Sequence, residues 1–333
     1  MTSTAADLAA AGWADSKAGH HAAAVARFDE ALALDTGNRS ALLGRGLTLP
    51  MLGRYEEALA ACNAVLAGDP GNADALSGRS GAYRGLGRLE ESIADLDRVI
   101  SADPCAGFAF GRRGSLYFEQ GRHAEALADY DRALELDPGD WMSYFGRGEC
   151  YEELGRPTDA LAEFSAALNS IPAAGAGRDR AFAMVHRTRA GLLRSQRRLS
   201  DAVADYSTAI ELEPGEMVTI ADRGLCYQAL GLLDEALDDL SRAIELDPAE
   251  AWAIGSRGQV YHALGRYAEA LADYDRAIGM HDDYAQAIAD RGVTYLALGR
   301  RAEALADLRR AVELDPDLAP EVSPHIDEAQ TAG

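Results

Sequence analysis

The chain has 333 residues, of which 48% are hydrophobic and 26% charged, and its formal net charge is −22. That composition supplies both a core and a soluble surface, which excludes an intrinsically disordered chain. The negative charge repels nucleic-acid phosphates and anionic membranes, and no segment approaches the eighteen or so consecutive apolar residues that a membrane-spanning helix requires.

The N-terminal stretch MTSTAADLAAAGWADSK lacks a basic region followed by an unbroken apolar run, so no signal peptide is expected and the chain reads as cytoplasmic. Lys17 is the only lysine among abundant arginine, alanine and glycine, a bias that fits a GC-rich bacterial genome. The four cysteines, Cys62, Cys105, Cys150 and Cys226, lie far apart without a C-x-x-C pair, as expected for reduced thiols and not for a disulfide framework or a zinc site.

Prolines at 70, 104, 138 and 172, then 214 and 248, then 316 reveal a 34-residue period, with Asp282 at the skipped position. Nine repeats follow, beginning at 5, 39, 73, 107, 141, 183, 217, 251 and 285, and the one break in register is eight extra residues at 175–182, GAGRDRAF. Within each repeat, one apolar helical pattern stops at a Leu-Gly-Arg-type turn, where glycine can adopt the left-handed conformation, and a second stops before the proline. In the fifth repeat, small residues at the eighth and twentieth positions (Gly148, Ala160) permit close helix approach. Bulky residues at the fourth, eleventh and twenty-fourth (Tyr144, Tyr151, Phe164) fill the space between. A single helical hairpin cannot bury both faces, so neighbours are expected to stack into a solenoid.

A 34-residue helix-turn-helix unit with large-x-x-x-Gly-x-x-Tyr, Ala-x-x-x-aromatic-x-x-Ala and a closing proline resembles the tetratricopeptide repeat family over roughly residues 5 to 318. The resemblance implies an all-α, right-handed superhelical solenoid whose first helices line a concave groove that receives a peptide or a partner's helix. The expected organisation is repeats 1–5 over 5–174, an insertion or hinge at 175–182, repeats 6–9 over 183–318, and a short cap or tail at 319–333. Since Ser323-Pro324 could start only a short, weakly apolar helix, end-to-end self-association stays open.

Two regular features have structural explanations. Arginine stands at the seventh position of repeats 2 to 9, and an acidic residue stands at the twenty-third of repeats 3 to 9 (Asp95, Asp129, Glu163, Asp205, Asp239, Asp273, Asp307). The two are expected to pair as a ladder between first and second helices. Cys62, Cys150 and Cys226 occupy core positions, while Cys105 follows a turn and is expected to be accessible.

No catalytic constellation emerges. A phosphate-binding loop would need a lysine in mid-chain; no H-E-x-x-H or G-x-S-x-G occurs; and the seven histidines are scattered over different repeat positions. No enzyme activity, cofactor or metal is therefore expected.

The resemblance assigns the groove to the second, fifth, sixth, ninth, twelfth and thirteenth positions. Repeats 4 and 5 place Phe108, Arg112, Phe118, Met142 and Phe145 there beside Glu119, Glu149, Glu152 and Glu153, and repeat 8 places Trp252. The segment RDRAFAMVHRTRAGLLRSQRR, residues 178–198, holds seven arginines and one aspartate. Arg187 and Arg194 fall on the groove face of repeat 6, and Arg178 and Arg180 fall in the insertion at its rim. Arg197 stands where the other eight repeats have glycine. The arginines at 187 and 194 would neutralise the repeat 5 glutamates, bind a partner's acidic group, or flank a ligand-free hinge. The reading favoured is a protein-interaction scaffold holding a protein or peptide. The alternatives are an enzyme or small-ligand sensor at the repeat 5–6 seam and, against the net charge, nucleic-acid binding through the repeat 6 arginines.

Overall fold

The structure, a computed structural model, describes residues 3–175 and 177–331. The described residues form no strand; eighteen helices pair into nine antiparallel hairpins, and a nineteenth follows. The chain divides into two compact units, one ending at Arg178 and the other starting at Asp179. The first unit contains repeats 1 to 5, from Ala5–Lys17 with His21–Leu34 to Trp141–Glu153 with Pro157–Ser170. The second contains repeats 6 to 9, from Arg178–Ser195 with Leu199–Leu212 to Ala285–Ala297 with Arg301–Leu314.

The hairpins close where small residues were expected. The alanines at the twentieth position (Ala24, Ala58, Ala126, Ala160, Ala202, Ala236, Ala270, Ala304) are fully buried. A β-carbon on Gly148 would stand 2.7 Å from the Phe164 ring, and one on Gly258 would stand 2.7 Å from the Tyr274 ring, so these glycines let the first helix rest on the aromatic side chain of the second. Repeat 3 replaces the small pair by serines: Ser80 and Ser92 are buried with their hydroxyls 2.7 Å apart, and Ser92 also donates to the Ser80 carbonyl at 2.8 Å. Asn38 and Asn72 accept from the Ala41 and Ala75 amides as N-caps, which accounts for two of the chain's asparagines without a ligand.

The turns hold one strained residue. Glycines at the interhelix turn have φ between 67° and 80°, and Arg197 takes the same left-handed conformation with φ 61°, alone among described non-glycine residues. Neighbouring contacts therefore impose the turn even where the sequence disfavours it.

The insertion is not a loop throughout. Residue 176 lies outside the described residues, but 178–182 lengthen the first helix of repeat 6 to 18 residues, against 13 in its neighbours. Arg-Asp-Arg-Ala-Phe contains good helix formers and no breaker, so it extends the pattern that follows. The C-terminal segment, expected as a short cap or tail, forms a helix over Ala319–Thr331 that begins before Ser323 and runs through Pro324; residues 332–333 lie outside the described residues. Val322 is buried, and Leu318 and Ile326 pack on the core that includes Leu308 and Ala311, so this helix covers the end of repeat 9.

Candidate functional site

The seventh-position arginines must be placed before any groove cation can be judged. Arg113 donates from Nε and Nη2 to the two carboxylate oxygens of Asp129 at 2.7 and 2.8 Å. Arg79–Asp95, Arg147–Glu163, Arg189–Asp205, Arg223–Asp239, Arg257–Asp273 and Arg291–Asp307 repeat this forked contact. The ladder is therefore present, and it extends further than the sequence indicated. The free Nη1 of Arg113 reaches back 16 residues to Asp97 of the preceding repeat at 2.5 Å, and those of Arg147 and Arg291 reach Asp131 and Asp275 at 2.6 Å. Each such guanidinium ties together three helices. His186 joins the rung at Asp205, with Nδ1 2.8 Å from the carboxylate.

The groove arginines divide into paired and unpaired. Arg187 lies 3.6 Å from Glu216, and Arg194 lies 3.1 Å from Asp222, which also accepts from the Tyr206 hydroxyl at 3.4 Å. Both therefore meet carboxylates within their own unit, at the end of repeat 6 and in repeat 7. The sequence had offered the repeat 5 glutamates for that role. Arg84 pairs with Glu119. Arg112 differs: it donates to the Ser77 hydroxyl at 2.5 Å and more weakly to the Ser77 carbonyl at 3.4 Å, and no described carboxylate stands within salt-bridge distance. Its side chain is open to solvent yet ringed by protein, and desolvation lowers its pKa, with the like charge of Arg84 acting in the same direction.

Around Arg112 the first-helix face is mixed. Phe108, one turn earlier, is 48% exposed, and Met142 of repeat 5 is 63% exposed. Phe145 leans on the core ring of Phe164, centroids 5.5 Å apart, and Phe118 sits half-buried 5.6 Å from the His123 ring, so these two serve packing first. Glu149 is pushed up to about 7 by burial and by the neighbouring Glu152, against the opposing pull of Arg84. The same arginine thus acts on both Glu149 and Arg112, which places all three in one electrostatic neighbourhood.

In the second unit the corresponding face is largely satisfied by its own side chains. Gln228 donates to Gln259 at 3.4 Å, Gln259 donates to Asp290 at 2.8 Å, and Gln286 donates to Asp290 at 3.2 Å. Burial raises the pKa of Asp290, and the two amide donors oppose that rise. Trp252 is half-buried between two core clusters. Arg180 is exposed on the helix Arg178–Ser195, and Arg178 begins it.

A family model described as Tetratricopeptide repeat matches residues 9–73, 111–179 and 256–319, and two others of the same description match 51–105 and 221–249. The chain belongs to the tetratricopeptide repeat family. Among solved structures it is similar to YrrB, described as a tetratricopeptide protein with an unusual peptide-binding site (24% identity, TM-score 0.52, 58% of this chain and 95% of that one). It is also similar to a tetratricopeptide repeat protein from Parabacteroides merdae (19% identity, TM-score 0.52, 78% and 99%) and to pilF of Pseudomonas aeruginosa (19%, 0.53, 68% and 98%). At these identities the likeness concerns the fold. No curated protein matches the chain.

As a tetratricopeptide protein the chain is an interaction scaffold of helical repeats. Among the described residues no helix is long and apolar enough to cross a membrane, and no three histidine, cysteine or carboxylate side chains converge as metal ligands. Cys62, Cys150 and Cys226 are buried and Cys105 is exposed, as their repeat positions indicated. Sequence reasoning missed the amide chain Gln228–Gln259–Asp290 and the second contacts of Arg113, Arg147 and Arg291. The signal lay in residues 16 or 31 apart on neighbouring repeats, which meet only once the repeats stack.

Proposed function

We propose that the first-helix face of repeats 3 to 5 binds a peptide segment or helix of a partner protein, and that an acidic group of that partner sits on Arg112. The observation that carries this is the Arg112 guanidinium, exposed yet crowded by protein and without a carboxylate partner, where Arg84, Arg187 and Arg194 each meet one. A partly desolvated cation favours an anionic ligand that takes over its solvation. Phe108 and Met142 offer apolar contact, and Gly81 of repeat 3, with nothing within 4 Å of where a β-carbon would stand, leaves room for a backbone to approach. Phe118 and Phe145 shape the floor. Arg187 and Arg194, each beside a carboxylate, and Arg178 and Arg180 are secondary in this reading, as is Trp252. The helix Ala319–Thr331 argues against end-to-end association at that terminus.

Selection of peptides from a random library on the wild-type chain and on Arg112→Gln tests the proposal. Peptides selected by the wild type carry an acidic residue at one register position and bind the variant at least tenfold more weakly. Selected peptides without an acidic position, or equal binding by both proteins, would sink it.

A further inference from the structure

The second unit holds a cleft of about 390 Å³ lined by Glu250, Ala251, Trp252, His281, Asp283 and Tyr284. It lies where the turn before helix Ala251–Ala263 meets the turn before helix Ala285–Ala297. Two aromatic side chains form part of its wall. Trp252 is half-buried between core clusters, and the Tyr284 ring packs over Gly255, where a β-carbon would stand 3.5 Å from it, one turn along the same helix. Both rings are thus fixed by packing and offered at one edge.

Among the described residues the carboxylates in this cleft form no ion pair, although Arg310 donates to the neighbouring Asp282 carbonyl. Neither Glu250, half-buried, nor Asp283 has an ion-pair partner among the described residues, although arginine–carboxylate pairs recur throughout the chain. The nearby Arg276 donates instead to the Pro248 carbonyl at 2.5 Å. Each acid stands just before a helix. The set is no metal centre, because the histidine and the two acids do not converge.

We propose that this cleft is a binding site for the guanidinium side chain of an arginine in a basic partner peptide. A planar, weakly hydrated cation can stack on an aromatic face while its edge donates to carboxylates, a combination that an ammonium group meets less well. The protein builds this arrangement internally. Arg266 lies 4.5 Å from the Tyr261 ring centroid and pairs with Glu269, and Arg300 lies 4.3 Å from that of Tyr295 and pairs with Glu303. The cleft presents the same aromatic and acidic components with the arginine left to a partner. Its volume falls at the small end of the range for ligand pockets, about 300–1,000 Å³, which suits one long side chain. The net charge of −22 would speed the approach of a basic segment but would not select arginine.

The proposal is independent of the acidic-peptide reading of repeats 3 to 5, and its test uses a ligand of opposite charge. The probe is the capped peptide Gly-Arg-Gly-Arg-Gly, with Gly-Lys-Gly-Lys-Gly as its charge-matched counterpart, titrated calorimetrically into the full chain. The expected results are tighter binding of the arginine peptide, a loss of tenfold or more in Glu250→Gln/Asp283→Asn, and no more than a twofold change in Glu235→Gln/Glu245→Gln. The second variant removes the same charge from exposed sites elsewhere in the unit. Both must retain the wild-type thermal midpoint; a further variant, Trp252→Phe, keeps an aromatic face and is expected to retain more affinity than the double carboxylate variant. Equal losses in the two double variants, or equal affinity for arginine and lysine peptides, would show bulk attraction to an acidic protein and overturn the proposal.

Discussion

Arg112 and Arg113 are adjacent in sequence and opposite in predicted consequence. The Arg113 guanidinium makes two hydrogen bonds to Asp129, which is 6% exposed, and one to Asp97. Arg113→Met leaves the Asp129 carboxylate buried without its cation, and a stranded buried charge costs about 3–5 kcal/mol. Arg112→Met removes a serine contact from a cation with no carboxylate partner; the lost hydrogen bond, about 1 kcal/mol, is partly offset because a partly desolvated charge disappears with it. Urea unfolding monitored by circular dichroism should therefore show a large midpoint decrease for Arg113→Met and little change for Arg112→Met. Asp129→Leu added to Arg113→Met should recover much of the loss, since an apolar replacement of the whole pair strands nothing. Equal midpoints for the two single variants would refute the buried-ladder argument, and failure of the double variant to recover stability would locate the cost in packing of the arginine stem.

Other expectations follow from local geometry. Arg197→Gly should raise the thermal midpoint, because relief of a left-handed non-glycine residue is worth about 1–2 kcal/mol, reduced by the chain entropy that glycine adds to the unfolded state. Glu149, raised to about 7, keeps its proton in the folded chain after the unfolded chain has lost it. Its favourable contribution is thus full below about pH 4.5 and is lost as the pH rises to about 7. Glu149→Gln should match the wild type in stability at pH 4 and exceed it at pH 8 by about 1–3 kcal/mol, a range discounted for partial solvent access; parallel pH profiles would contradict the assignment. A thiol reagent should modify Cys105 in the native chain well before the others, since burial encloses Cys62, Cys150 and Cys226 and pushes their thiols up to about 12, 12 and 11. Rapid modification of more than one thiol per native chain would show that those core positions open.

Within a repeat, most of the architecture was legible in the amino-acid order. The small residues at the eighth and twentieth positions and the larger, mostly aromatic or leucine residue at the twenty-fourth belong to two helices joined by a short turn, so their meeting depends on helical periodicity alone. The arginine–acid rungs, always 16 residues apart, were legible for the same reason. Arg197 shows the limit of that logic from one side: its type disfavours the turn, and the surrounding hairpin imposes the conformation regardless. Between repeats the sequence was silent, because contacts such as Arg194–Asp222, Gln259–Asp290 and Trp252 beside Tyr284 depend on how successive hairpins rotate as they stack. Stacking decided that the conspicuous arginines of repeat 6 meet acids of their own unit while Arg112, inconspicuous beside Arg113, stands without one. The sequence by itself determined a solenoid of paired helices, since each pair must bury a face that only a neighbour can cover. Only the tertiary structure decided which charges that covering left unpaired.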